Sequence, residues 1–137
     1  MTMPTHIHNS QTKTWIAFAN AAKCNHAAAF SQLHFICWTM NGVKFKPGDI
    51  VYLFSSDTRS IRFKGEVVAA NIPRQDGRFW IMSPPNDMTY KVKLLNTYNG
   101  TMLNERHLLQ HGFNGGRSLQ HPIYKNKQLI DYVTSIF

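Results

Sequence analysis

The sequence has little of what marks a secreted, membrane-bound or hydrolytic protein. Only two cysteines, Cys24 and Cys37, occur in 137 residues. That is too few for a disulfide framework, and both sit beside apolar patterns, so buried free thiols in a reducing compartment are expected. No apolar run approaches the roughly 20 residues that span a bilayer. The first residues are polar and lack the apolar segment of a secretory signal. A soluble, cytoplasmic protein with no membrane partner is therefore expected. Acids are scarce, with seven Asp and Glu in total, and they are scattered singly, so no carboxylate pair is visible. There is no nucleophile elbow, no G-x-G-x-x-G and no P-loop. No catalytic residue and no cofactor are expected, and the chain does not read as an enzyme. Repeats and low-complexity segments are also missing.

What is present is a basic, aromatic-rich globule. Hydrophobic residues make up 43% and aromatics 12%, enough for a folded core rather than a disordered tail. The length suits one domain, read here as a flexible arm over residues 1–12 and a single domain over 13–137. Fifteen Lys and Arg against seven acids give a net charge of +8. Such a surplus favours a polyanionic partner, nucleic acid first. Lys44 and Lys46, Arg62 and Lys64, and Lys91 and Lys93 each stand two apart, so within strands each pair would share a face.

Apolar patterning predicts a buried strand over Thr14 to Ala19 and a short alanine-rich helix capped by Asn25. A second strand-like run covers His34 to Thr39. Pro47-Gly48-Asp49 is a turn, since Pro presets its φ and Gly permits a positive one. Ile50 to Phe54 is continuously apolar and reads as a strand buried on both faces. Ser60 to Ala70 alternates, with Ile61, Phe63, Gly65 and Val67 on one face. Gly65 in mid-strand predicts a bulge or sharp bend. Residues 71 to 87 hold three prolines and read as a long loop with a short aromatic segment at Phe79 to Ile81. Met88 to Leu95 alternates again. Asn104 and Asn126 are candidate caps of two further helices, and Gly112 is a natural helix stop. The expected fold class is α+β: a small, strongly bent sheet or barrel of five to six mostly antiparallel strands with about three short helices.

These residues resemble the EVE domains of the PUA-like superfamily, whose relatives include the YTH, ASCH and SRA modules. The resemblance rests on the strand carrying Trp15 and ending at Asn20, the helix with Phe30, and the strand running into Trp38. It continues through Phe45-Lys46-Pro47-Gly48-Asp49-Ile50-Val51-Tyr52-Leu53-Phe54-Ser55-Ser56 and then Ile61 to Val67 with its central Gly. Leu108 to Val133 resembles the ending of EVE-like modules that precede HNH nuclease domains in modification-dependent restriction enzymes. No such nuclease motif follows in this sequence, so a nuclease partner would be another domain or subunit. The resemblance implies a PUA-like pseudo-barrel whose aromatic pocket takes a base turned out of a nucleic acid. A 5-modified cytosine in DNA is the first expectation. A YTH-like RNA binder and an ASCH-like enzyme acting on a small nucleoside are the alternatives.

The candidate base-pocket residues are Trp38, Asn20, Trp15, Phe54, Ser55, Ser56 and Asp57. Trp38 ends a strand and precedes a polar turn, so it can wall a pocket or pack the core. Trp15, flanked by Ile16 and Phe18, reads more as core. Asn20 can read a base edge through its amide or simply shape a loop. Trp80 in the long loop is an exposed wedge or a loop anchor. Lys44, Lys46, Arg59, Arg62, Lys64, Lys91, Lys93, Arg117 and Gln120 are candidate contacts to the nucleic-acid backbone. His107 and His111 stand four apart on a predicted helix, with His121 beyond. No acid lies between them and neither cysteine has a CxxC partner, so surface histidines are expected rather than a metal site.

Overall fold

The computed structural model describes residues 12–137. The expected arm, residues 1–12, lies outside them apart from Thr12. Five strands form one sheet: β1 (Thr14–Ala19), β2 (Phe35–Thr39), β3 (Ile50–Ser55), β4 (Ser60–Ile72) and β5 (Thr89–Thr97). Three helices accompany them: α1 (His26–Leu33), α2 (Glu105–Leu109) and α3 (Lys127–Ile136). Asn25, Asn104 and Asn126 accept hydrogen bonds from backbone N–H groups of the respective first turns, as their positions in the sequence predict. Gly112 has the positive φ of a helix stop, at 90°.

The sheet order is β1-β3-β4-β5-β2. β1 runs parallel to β3, and the other three pairings are antiparallel. The sheet is curled, so its edges, β1 and β2, approach without pairing. Among the described residues this is the bent α+β sheet that the patterning predicts, with five strands and three helices, in the pseudo-barrel form that the resemblance implies. Its bend has a local cause at Gly65. A Cβ there would lie 2.5 Å from Val92 Cγ1 and 3.2 Å from the Lys93 carbonyl. The β4–β5 register also shifts between Lys64 and Gly65.

The two sides of the sheet bury separate cores. The concave side packs Trp15, Phe30, Phe45, Val51, Leu53, Phe63, Tyr90 and Val92, with half-buried Trp38 against them. The other side packs Ile16, Tyr52, Phe54 and Ile61 under Leu108, Leu129 and Val133 of α2 and α3. β3 is buried on both faces because it contributes alternate residues to each core. Asp49, 1% exposed, locks the Pro-Gly-Asp turn onto β1. Its carboxylate accepts from Lys13 N, Trp15 Nε1 and Lys46 N at 2.8, 2.8 and 2.9 Å.

Both edges of the curled sheet are covered. Ile123 bridges to Ile16 on β1. On β2, Asp76 Oδ2 accepts from Cys37 N at 2.8 Å, and Arg74 Nη1 donates to Cys37 O at 2.8 Å. Arg74 also pairs with Asp76 at 2.9 Å. The ion pair thus takes the place of a sixth strand at this edge.

Candidate base-binding cleft

Where β1 and β2 fail to meet, the surface opens into a cleft of about 410 Å³. That lies within the range of small-ligand sites. β1 supplies Phe18 and the following Asn20; β2 supplies Trp38 and Thr39; Gln120 and His121 close the other side. Trp38 is half-buried. Its ring lies 6.0 Å from that of His26 and 6.5 Å from that of Phe45, so it is fixed from behind and still borders the opening. Three residues of the sequence-derived set, Trp38, Asn20 and Gln120, therefore come together here.

The proline-rich segment also builds the cleft. Trp80 bridges to Cys24, Asn25 N donates to Phe79 O at 2.8 Å, and Ile81 N donates to Lys23 O at 2.9 Å. These bonds hold residues 79–81 against the 20–25 turn, so Trp80 and Pro85 form part of the cleft wall. Arg74 stacks on Trp80, 4.6 Å from its ring. The residues between Asn71 and Asp87 read only as a loop in sequence. The role of residues 79–81 depends on partners more than 50 positions away, which patterning does not report.

Lys23, His26 and Thr39 line the cleft without having stood out in the sequence, and Trp80, read there as an exposed wedge or a loop anchor, and His121, read as a surface histidine, join them. Burial lowers the His26 imidazole from its ordinary 6.5 to about 4, so it is neutral near pH 7. Burial pushes the Cys24 thiol up to about 12, with the Asp76 charge adding to the shift and Arg74 opposing it. This thiol is a neutral wall rather than a nucleophile. Among the described residues no carboxylate lines the cleft.

A smaller cleft of about 170 Å³ adjoins the first and shares Cys24 and His26 with it. Ser55, Asp57 and Arg62 line it. The β3–β4 register slips between Leu53 and Phe54, leaving Arg62 as the extra residue of a bulge. Arg62 accordingly lies over the Phe63 ring at 5.0 Å, whereas Lys64 lies over the Tyr52 ring at 5.9 Å. Phe63 and Tyr52 belong to opposite cores. The two basic residues therefore do not share a face, and the bulge is the reason.

The remaining expected site residues are placed elsewhere. Trp15 is 5% exposed and Phe54 fully buried, and neither lines either cleft. Ser56 Oγ accepts from Ala21 N at 2.8 Å, fixing the turn after β1. Lys44 and Lys46 sit in the β2–β3 connection, not on a strand. Lys91 and Lys93 stand opposite Cys37 and Phe35, alternating with Tyr90 and Val92 of the concave core. They thus lie on the face turned from Trp38. Arg59 is held by Glu105 at 2.7 Å, and Arg117 is exposed in the short 3₁₀ turn beside the cleft. His107 Nδ1 lies 2.9 Å from Thr101 O, and His111 stacks on Tyr132 at 3.6 Å. Among the described residues no group of three or more His, Cys, Asp or Glu converges as metal ligands would, and no helix is long and apolar enough to cross a membrane.

The ASCH protein of Zymomonas mobilis has a similar structure: TM-score 0.65 at 10% identity, over 90% of this chain and 95% of that one. A mutant of the same protein gives 0.64 at 11% identity, over 90% and 98%. No protein-family model matches the chain, and no curated protein matches it. At 10–11% identity these neighbours bear on the fold alone: they match the expected pseudo-barrel and do not distinguish an EVE domain from its relatives. At the level of fold, this chain is similar to the ASCH domains of the PUA-like superfamily, a curled five-stranded half-barrel with three helices.

Proposed function

We propose that the protein is a nucleic-acid-binding module that receives a single unstacked base in the cleft between β1 and β2. The observation that carries this reading is Trp38, which borders an open cleft of about 410 Å³ instead of being sealed in the core. A flat ligand can stack on its free part while Asn20, Thr39 and Gln120 offer donors and acceptors to a base edge. One stacked base contributes about 1–3 kcal/mol. With edge hydrogen bonds, that offsets the few kcal/mol needed to unstack and unpair a base. The net charge of +8 favours a polyanion. The neutral Cys24 thiol and a cleft lined by no described carboxylate favour binding over acid–base chemistry.

The first ligand to test is a 5-modified cytosine in DNA, with matched RNA as competitor. Methylated and hydroxymethylated duplexes are expected to bind more tightly than plain duplexes, and less tightly as salt is raised. Equal affinity for every duplex would remove the modified-base reading. Tighter binding of the RNA competitor would move the assignment to RNA. Trp38→Ala should lower affinity for the best oligonucleotide by about 10- to 100-fold, the scale of one stacked base. A variant that binds as well as the native protein would overturn the cleft as the site.

A further inference from the structure

We propose that the smaller cleft beside His26 is a sugar-phosphate subsite, in which Arg62 holds the phosphate of the nucleotide whose base occupies the larger cleft. The proposal rests on the base-binding reading and extends it. The two clefts are contiguous through Cys24 and His26. A base in the larger one would therefore leave its sugar and phosphate beside the smaller one, whose volume of about 170 Å³ is too small for a second nucleotide.

The chemistry of the smaller cleft suits that ligand. The bulge turns Arg62 onto the Phe63 side of the sheet and into the cleft. Among the described residues no carboxylate forms an ion pair with it, although Asp57 lines the same cleft. Its guanidinium donates to Asn99 Oδ1 at 3.3 Å, a long and neutral contact that a phosphate oxygen would displace. Arg59 offers a contrast three residues away, for Glu105 already holds its guanidinium in two hydrogen bonds of 3.2 and 2.7 Å. Asp57 stands on the same rim. Its Oδ1 accepts from Thr58 N at 2.8 Å, and its Oδ2 can accept from the 2′-hydroxyl of a ribonucleotide, a group that an internal deoxynucleotide lacks. A cation for the phosphate and an acceptor for the sugar thus sit side by side next to an aromatic cleft. The strand lysines Lys64, Lys91 and Lys93 cannot serve this subsite from the opposite face.

The test uses trinucleotides with cytosine or 5-methylcytosine at the centre, in ribo and deoxy forms. Each is made with native linkages and with a neutral methylphosphonate on the 5′ or the 3′ side of the central base. Affinities are measured by titration against the native chain, Arg62→Gln, Arg62→Lys and Trp38→Ala. Arg62→Gln should lower affinity for the native trinucleotide about tenfold, the scale of one charge-assisted hydrogen bond. It should change affinity little when the contacted phosphate is already neutral, and Arg62→Lys should retain part of the loss. A preference for the ribo form that Asp57→Asn reduces would place the sugar 2′-hydroxyl at Asp57. Equal affinity for native and both neutral linkages, or an Arg62→Gln loss that does not depend on the linkage, overturns the subsite. If Trp38→Ala still weakens binding in that case, the base-binding reading stands. Failure of every trinucleotide to bind the native chain overturns both.

Discussion

Two single side chains show how the same residue type can be spent on structure or on the site. Asp49 looks like part of an ordinary turn in sequence, yet it gathers three N–H donors and fixes Trp15 in the core. Asp49→Ala would strand those donors and should lower stability by about 2–4 kcal/mol, measured as a fall in the urea midpoint. Asp49→Asn keeps one acceptor and should cost less. His26 shows the opposite case, a helix residue drawn into the cleft wall. Burial is the main reason its imidazole titrates near 4; the Asp76 carboxylate opposes the shift, Arg74 adds to it, and Asp57 opposes it. The folded state therefore disfavours the proton that the unfolded chain takes up near 6.5. Stability from this group is fully present above pH 6.5 and is lost as pH falls towards 4, by up to about 3 kcal/mol. Urea midpoints from pH 7 to pH 4 should fall more steeply for the native protein than for His26→Gln. Parallel curves would show that His26 is not the group responsible. Residue types signalled neither role, because each depends in part on residues more than 30 positions away: Lys13 and Trp15 for Asp49, and Asp57, Arg74 and Asp76 for His26.

At the scale of elements, the strands were legible and their edges were not. Alternation in 60–70 and 88–95, the apolar run at 50–54 and the three asparagine caps placed nearly every element within a residue or two. The mid-strand Gly65 predicted the bend. Gly65→Val should clash with Val92 and the Lys93 carbonyl and cost about 1–3 kcal/mol, seen as a lower thermal midpoint. By contrast, the protection of β2 by Arg74 and Asp76 left no periodic trace. Arg74→Met would leave the 1%-exposed Asp76 carboxylate without its cation. A broken buried pair of this kind costs about 3–5 kcal/mol, which should appear both as destabilisation and as faster amide exchange along β2. The same bulge logic separates Arg62 from Lys64, since one inserted residue reverses the face that simple alternation assigns.

Across the whole molecule, the charge of +8 does not form a single basic stripe. Lys64, Lys91 and Lys93 lie on the face away from Trp38, Arg59 is paired with Glu105, and Arg62 turns towards the clefts. Replacing Lys64, Lys91 and Lys93 together with Gln should therefore change affinity for a trinucleotide by less than about threefold. It should also weaken binding of long duplexes more at low salt than at high salt, as expected for non-local attraction. A large loss on the trinucleotide would show instead that the ligand reaches that face.

The sequence by itself determined the α+β class, the run of elements, the capping asparagines, the bent strand at Gly65 and the basic, aromatic character of the chain. These follow from propensity and short-range periodicity, which act over a few residues. Only the tertiary structure decided which aromatic ring faces an opening. Trp15 and Trp38 each end up beside Phe45. One is drawn into the core by Asp49, while the other is left half-exposed because it lies on the last paired stretch of an edge strand. The cleft exists because the curled sheet stops short of closing, and it is walled by segments 18–26, 37–43, 80–85 and 119–122. The Pro47 to Phe54 stretch could be read as scaffold from its own residues. The pocket around Trp38 could not, because its shape is a property of where distant segments meet.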